Sequence, residues 1–172
     1  MKEIRWHARA GQGAKTASQL YAAALLQAGK SVQAFPEYGP ERRGAPMRAY
    51  TRFDERPIRR HDAVAMPDAV VVLEPSLLRD VDVEDGLREG GLVLVNAEGS
   101  ANGYLAVPAE RLAAGLGSRF VNLVMVGALA AALGEPSLEE LQSAAAALLG
   151  AKVDPHALAA ALAAGWEHVW RG

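Results

Sequence analysis

The chain has 172 residues, 51% of them hydrophobic, and a formal net charge of −2. That length suits one domain with a full core, and so small a charge supplies no general basic field for nucleic acid. No apolar run reaches the ~18 residues that span a bilayer, the first residues lack the apolar core of a signal peptide, and the lack of cysteine excludes disulfides and thiolate-held iron–sulfur clusters. The expectation is a soluble cytoplasmic protein with a single domain over residues 1–172 and no role for nucleic acid or membrane.

Ile4 to Ala8 reads as a strand, and Ala10-Gly11-Gln12-Gly13 as a tight turn. Ala17, Leu20, Tyr21, Ala24, Leu25 and Ala28 then recur at helical spacing, with Gly29 as the stop. Ser31 to Phe35 returns as a strand. The next segment, Phe35 to Pro46, holds three prolines, two glycines and the adjacent Arg42 and Arg43. Met47 to Phe53 alternates like a strand with one polar face. Ala69 to Leu73 and Leu92 to Asn96 are continuous apolar runs, the mark of strands buried on both faces.

The second half is alanine-rich and helical: Leu123 to Leu133, Leu138 to Leu149, and Pro155 to Trp170. Ser137 and Glu140 form a capping-box pattern, Asp154-Pro155 a cap with proline at the first helical position, and Gly134 and Gly150 stand at helix stops. Strands alternating with helices predict an α/β fold: three α/β/α layers around a mostly parallel, mixed sheet of Rossmann-like type. Residues 31–53 carry no helix between their two strands, which predicts one antiparallel pairing.

Two segments carry candidate chemistry. The turn at Gly11, Gln12, Gly13 and Thr16 lies between a strand and a helix, where backbone N–H groups meet anions in parallel sheets. Lys15 adds a charge nearby. The phosphate-loop and dinucleotide glycine patterns are both incomplete here, so an anion site and a plain tight turn stay open. The second segment runs from residue 41 to 60, with seven arginines against three acids. Arginine suits bidentate contact with phosphate or carboxylate. Arg52, Arg56, Arg59 and Arg60 read as solvated strand-edge charges, whereas Arg42 and Arg43, between Pro40 and Gly44, read as functional. Glu37, Glu41, Gly39 and Arg48 belong to the same segment. Asn96 ends a buried strand, where α/β sheets place ligands, and Asn122 is either a ligand contact or a helix cap. The four histidines show no metal-ligand spacing and read as structural or solvated.

With those residues laid out, the chain resembles the gamma subunits of 2-oxoacid:ferredoxin oxidoreductases, the pyruvate and ketoisovalerate group. Ala8 to Gly13 followed by Thr16-Ala17-Ser18 is similar to that family's glycine-rich opening. Gln33 to Pro36 and Gly39 to Pro46 repeat its Q-A-F-P and G-P-E-R-R-G-A-P strings, and Asn122 to Leu129 its N-x-x-M-x-G-A-L helix start. Ala8 and Ala10 depart from it, standing where the family has glycine.

The resemblance implies a complex that oxidatively decarboxylates a 2-oxoacid to an acyl-CoA and passes electrons to ferredoxin. It implies thiamine diphosphate, magnesium and iron–sulfur clusters held by alpha-, beta- and delta-type partners, with no cofactor bound by this chain alone. It also implies that this subunit lines the route of coenzyme A. Arg42 and Arg43 are then its ligand or partner contacts, oriented by Glu37 and Glu41. Two alternatives accompany this reading: an indolepyruvate-type partner subunit, and a stand-alone Rossmann-type nucleotide module. In the latter, Glu37, roughly 20 residues past the turn, reads a ribose.

Overall fold

The computed structural model describes residues 1–37, 44–99 and 103–170. The expected strands and long helices all form. They are β1 (Lys2–Arg9), α1 (Ala14–Gln27), β2 (Ser31–Glu37), β3 (Pro46–Asp54), β4 (Ala69–Val72), β5 (Leu92–Asn96), α4 (Val121–Leu133), α5 (Leu138–Leu149) and α6 (Pro155–Trp170). Short elements that lacked a sequence signal join them: α2 (Leu77–Asp80), β6 (Leu105–Val107), α3 (Ala109–Ala113) and a 3-10 turn over Ser118–Phe120.

Among the described residues the strands make one sheet in the order β2-β3-β1-β4-β5-β6. β1, β4, β5 and β6 run parallel. β3 is antiparallel to both β2 and β1, so there are two antiparallel pairings where one was expected. The reason is that β3 inserts between β1 and β2 rather than adding outside the hairpin.

Alternation along β1 sorts its residues to two environments. Ile4, Trp6 and Ala8 face α1 and join the main core with Ala69, Val71 and Leu94. Trp6 meets the Tyr21 ring edge-on at 6.1 Å, and its indole N–H donates to Thr51 Oγ1 at 3.0 Å. The long helices α1, α4, α5 and α6 all contribute to this core. On the opposite face Val70, Val72, Val93 and Val95 pack against Leu77 and Val83, a thinner layer made by α2 and the segment after it.

The helix ends follow the sequence signals. α1 closes with Gly29 at φ +86, its N–H bonding Leu26 O while Lys30 N–H bonds Leu25 O, the pattern of a left-handed glycine stop. Ser137 and Glu140 form a reciprocal capping box, and Asp154 Oδ1 accepts from His156 N–H at 3.1 Å. Gly134 is left-handed as expected, but Gly150 keeps right-handed angles, so α5 ends through a further turn instead. α4 is buried on nearly every side, and Gly127 and Gly165 let it approach α6 closely. A β-carbon on Gly165 would stand 1.8 Å from Val124 O.

Candidate functional site

The parallel strands β1, β4 and β5 end at one edge of the sheet, and a cleft of about 970 Å³ opens there on the α1 side. Gly11 (φ +96) and Gly13 (φ +82) turn the chain from β1 into α1, angles that a side chain resists. Gly11 has open space where a β-carbon would stand, whereas one on Gly13 would lie 2.5 Å from Asn122 Nδ2. Asn122 Nδ2 donates to the Gly13 carbonyl at 3.2 Å, while its Oδ1 accepts from Leu123 N–H at 3.0 Å. Asn122 thus sits inside the first turn of α4 and ties the start of α4 to the start of α1.

Gly11, Gln12, Gly13 and Thr16 form one lip of the cleft; Asn96 and Asn122 also line it. The structure therefore brings six of the sequence-predicted residues to one place. Lys15 is exposed beside the turn and does not line the cleft. Asn96 is 5% exposed and fully engaged: its Nδ2 donates to Leu73 O at 3.1 Å and its Oδ1 accepts from Ala109 N–H at 3.1 Å. It holds the end of β5 between β4 and α3. Gln12 is also engaged, its Oε1 accepting from Arg9 N–H at 2.7 Å and its Nε2 donating to Glu74 Oε2 at 2.8 Å. Burial works to raise the Glu74 carboxyl. Hydrogen bonds from Gln12 and Ser76, with the charge of Arg9, outweigh it and hold Glu74 below its usual range.

The cleft is amphipathic. α1 receives no side-chain hydrogen bond from its capping residue Gly13, so its N-terminus gives the polar end a positive field, whereas at the start of α4 Val121 N–H already bonds Ser118 O and Leu123 N–H bonds Asn122 Oδ1. Arg119 lines the cleft, its guanidinium 5.0 Å from the centre of the Phe120 ring and free of hydrogen bonds and ion pairs among the described residues. Leu123, Leu149, Val153 and Leu158 form an apolar wall, and Glu110 supplies an acid. Sequence reasoning missed Arg119, because it meets the glycine turn only through folding more than 100 residues apart.

Glu37 and Arg48 lie elsewhere. Register places His7, Arg48 and Glu37 side by side on the sheet face opposite α1. Tyr50 donates its hydroxyl to Glu37 Oε2, and Arg48 Nη1 stands 4.0 Å from the same oxygen. Burial, then the Glu37 contact, raises the Tyr50 phenol. His7 accepts from Arg5 Nε at 3.1 Å and is buried neutral, lowered to about 3 by desolvation and then by the charges of Arg5 and Arg48. Glu37 cannot read a ribose in the cleft, because the sheet lies between them. Gly39, Glu41, Arg42 and Arg43 lie outside the described residues, and Gly44 (φ +79) leads into β3.

The strand-edge reading of the other arginines needs one correction. Arg52 is completely buried: Nε donates to Glu3 Oε1 at 2.7 Å, Nη1 to Gln33 Oε1 at 3.0 Å and Nη2 to Asp62 O at 3.0 Å. The alternation that predicted β3 put Arg52 on its polar face, but that face is covered. Arg56 and Arg59 are exposed, as expected, and Arg60 pairs with Asp62. Ala8 belongs to β1 and fills the core, and Ala10 N–H bonds Ala45 O at 3.0 Å; neither lines the cleft. Among the described residues no three His, Asp or Glu side chains converge as a metal site, and no helix is long and apolar enough to cross a membrane.

Comparison with known proteins agrees with this architecture. The chain is 48% identical over 156 residues to the pyruvate/ketoisovalerate oxidoreductases common subunit gamma of Thermococcus kodakarensis, covering 84% of each protein. It is 47% identical over 146 residues to the pyruvate synthase subunit PorC of Methanothermobacter marburgensis, covering 82% of each. The crystal structure of the pyruvate oxidoreductase subunit PORC of Thermotoga maritima superposes with a TM-score of 0.81 at 39% identity, over 96% of this chain and 95% of that one. The resemblance to gamma subunits seen in the sequence thus extends over the fold. Residues 3–165 match the profile of pyruvate ferredoxin/flavodoxin oxidoreductases, and the chain belongs to that family.

Proposed function

We propose that this chain is the gamma subunit of a cytoplasmic 2-oxoacid:ferredoxin oxidoreductase and contributes its cleft to coenzyme A. The observation that carries the reading is the kinship with gamma subunits over most of the chain, joined to a cleft at the carboxyl ends of the parallel strands. Such enzymes oxidise a 2-oxoacid to carbon dioxide and an acyl-CoA and pass the electrons to ferredoxin. Thiamine diphosphate with magnesium supplies the carbanion chemistry, and iron–sulfur clusters carry the electrons. This chain has no cysteine to hold a cluster. Those groups belong with alpha-, beta- and delta-type partners, and the isolated chain is inactive.

Coenzyme A matches the chemistry of the cleft. Its phosphates suit the positive lip at Gly11, Gln12, Gly13 and Thr16 with Arg119 nearby. Its pantetheine arm suits the apolar wall of Leu123, Leu149, Val153 and Leu158. Asn122 and Asn96 hold the two sides at a fixed width. Gly39, Glu41, Arg42, Arg43 and Gly44, with Glu37 and Arg48, remain candidates for partner or ligand contact.

Two measurements test the reading. The tagged chain, drawn from its native cytoplasm, should bring with it cysteine-rich and thiamine-binding subunits. In the assembled complex, Arg119→Ala should raise the CoA KM about tenfold, the loss of one charge-assisted contact, with the 2-oxoacid KM unchanged. Purification of the chain without partners would defeat the subunit assignment. An unmoved CoA KM would remove coenzyme A from the cleft.

A further inference from the structure

Gly11 and Gly13 leave the lip of the cleft conformationally permissive, yet four residues around it close a ring of hydrogen bonds. Arg9 N–H donates to Gln12 Oε1 at 2.7 Å, and Gln12 Nε2 donates to Glu74 Oε2 at 2.8 Å. Glu74 Oε1 accepts from Ser76 N–H at 3.2 Å, and Ser76 Oγ accepts from Arg9 Nη2 at 3.0 Å. The ring therefore begins and ends on Arg9 and spans the turn after β1 and the segment between β4 and α2. Arg9 extends it further, donating to Asp80 Oδ2 at 2.7 Å and to Gly44 O at 3.2 Å.

We infer that Arg9 and Glu74 are positioning residues that set the lip of the cleft through the side chain of Gln12. Neither lines the cleft, whereas Gln12 does. The amide of Gln12 can satisfy both neighbours in one orientation only: its oxygen must face the Arg9 N–H and its NH2 must face the carboxylate. Two fixed contacts on one side chain leave the intervening backbone of a glycine turn little freedom. A nucleotide phosphate approaching the turn then meets a backbone already ordered, rather than one that must be ordered on binding. Asp80 and Gly44 anchor the guanidinium that closes the ring, so the lip is referenced to α2 and to the start of β3 as well as to β1.

This inference rests on the proposal that the cleft takes coenzyme A, and the experiment separates the two. In the assembled oxidoreductase, Glu74→Gln removes one donor–acceptor match, because its amide cannot accept from both Gln12 and Ser76. It should raise the CoA KM by roughly three- to tenfold, with kcat and the 2-oxoacid KM within about twofold of the parent. Gln12→Glu sets two carboxylates against each other and should raise the CoA KM further. The double variant Gln12→Glu/Glu74→Gln restores every match with the polarity of the link reversed. The carboxylate then at position 12 accepts from Arg9 N–H and from the amide at position 74, whose oxygen accepts from Ser76. It should recover most of the lost CoA affinity. Arg9→Lys should give a partial KM effect, since an ammonium reaches fewer of the partners that the guanidinium holds.

A purely structural role would lower the unfolding midpoint in Glu74→Gln and leave the CoA KM alone, which overturns the inference. Failure of the double variant to improve on Gln12→Glu also overturns it. If Arg119→Ala raises the CoA KM while Glu74→Gln does not, the cleft keeps its ligand and only the positioning role falls. If neither variant moves it, the coenzyme A reading falls and takes this inference with it.

Discussion

Arg52 and His7 show how the polar sheet face is held. Arg52 is fully buried against Glu3, so removing the guanidinium leaves that buried carboxylate only the longer ion pair to Arg88 at 3.5 Å. Arg52→Ala should cost about 3–5 kcal/mol, read as a lower urea midpoint. His7 makes the protein acid-sensitive. Its folded pKa, about 3, lies below the ordinary 6.5, so the unfolded chain binds its proton first as pH falls. Stability should therefore decline from about pH 6.5 toward pH 3, by several kcal/mol in total, on the order of what such a gap sets. His7→Gln retains an acceptor for Arg5 without a titrating ring. It should flatten that acid limb in pH-dependent urea melts; an unchanged slope would assign the limb to other groups. Neither role was legible in the sequence. His7 and Arg52 were visible as residues of strands, but their burial depends on partners brought alongside by register, Arg48 for His7 and Glu3 for Arg52. Local alternation identifies a polar face and says nothing of what covers it.

At the scale of elements, the caps and the helix–helix contact decide most. Ser137→Ala breaks the capping box of α5 and should cost about 1 kcal/mol. Gly165→Ala sets helix propensity against packing. Alanine is favoured by up to about 1 kcal/mol inside a helix, but its methyl would meet Val124 O at 1.8 Å. Backbone has to move, and overpacking of that kind costs about 1–3 kcal/mol, so the variant should unfold at lower urea than the parent. A rise in midpoint would mean that α4 and α6 can separate freely. Long periodic or apolar segments were legible because their patterns span many residues: α5 and β5 have the bounds that the sequence predicts. β6 and α2 were not, because three or four residues carry no period to detect. The insertion of β3 between β1 and β2 was equally hidden, since pairing order depends on which neighbours bury each face.

For the whole molecule, the cleft is assembled from the turn after β1, the end of β5, the entry to α4, and α5 and α6. Asn122→Ala tests whether its two sides are held together. Loss of the bond to Gly13 O should cost about 1 kcal/mol of stability and raise the CoA KM in the assembled enzyme. The sequence by itself determined the α/β class, most element positions, the helix caps and the kinship with gamma subunits, because these reside in local periodicity, turn chemistry and contiguous strings of residues. It also marked Gly11, Gln12, Gly13, Thr16, Asn96 and Asn122 as candidates, since strand ends and strand-to-helix turns are visible as such. Only the tertiary structure decided that these six share one cleft with Arg119, and that Glu37 and Arg48 stand on the opposite face. Side chains alternate across a strand, and the sheet order sets which distant segments meet. Those two constraints act through space, so no window of the chain contains them.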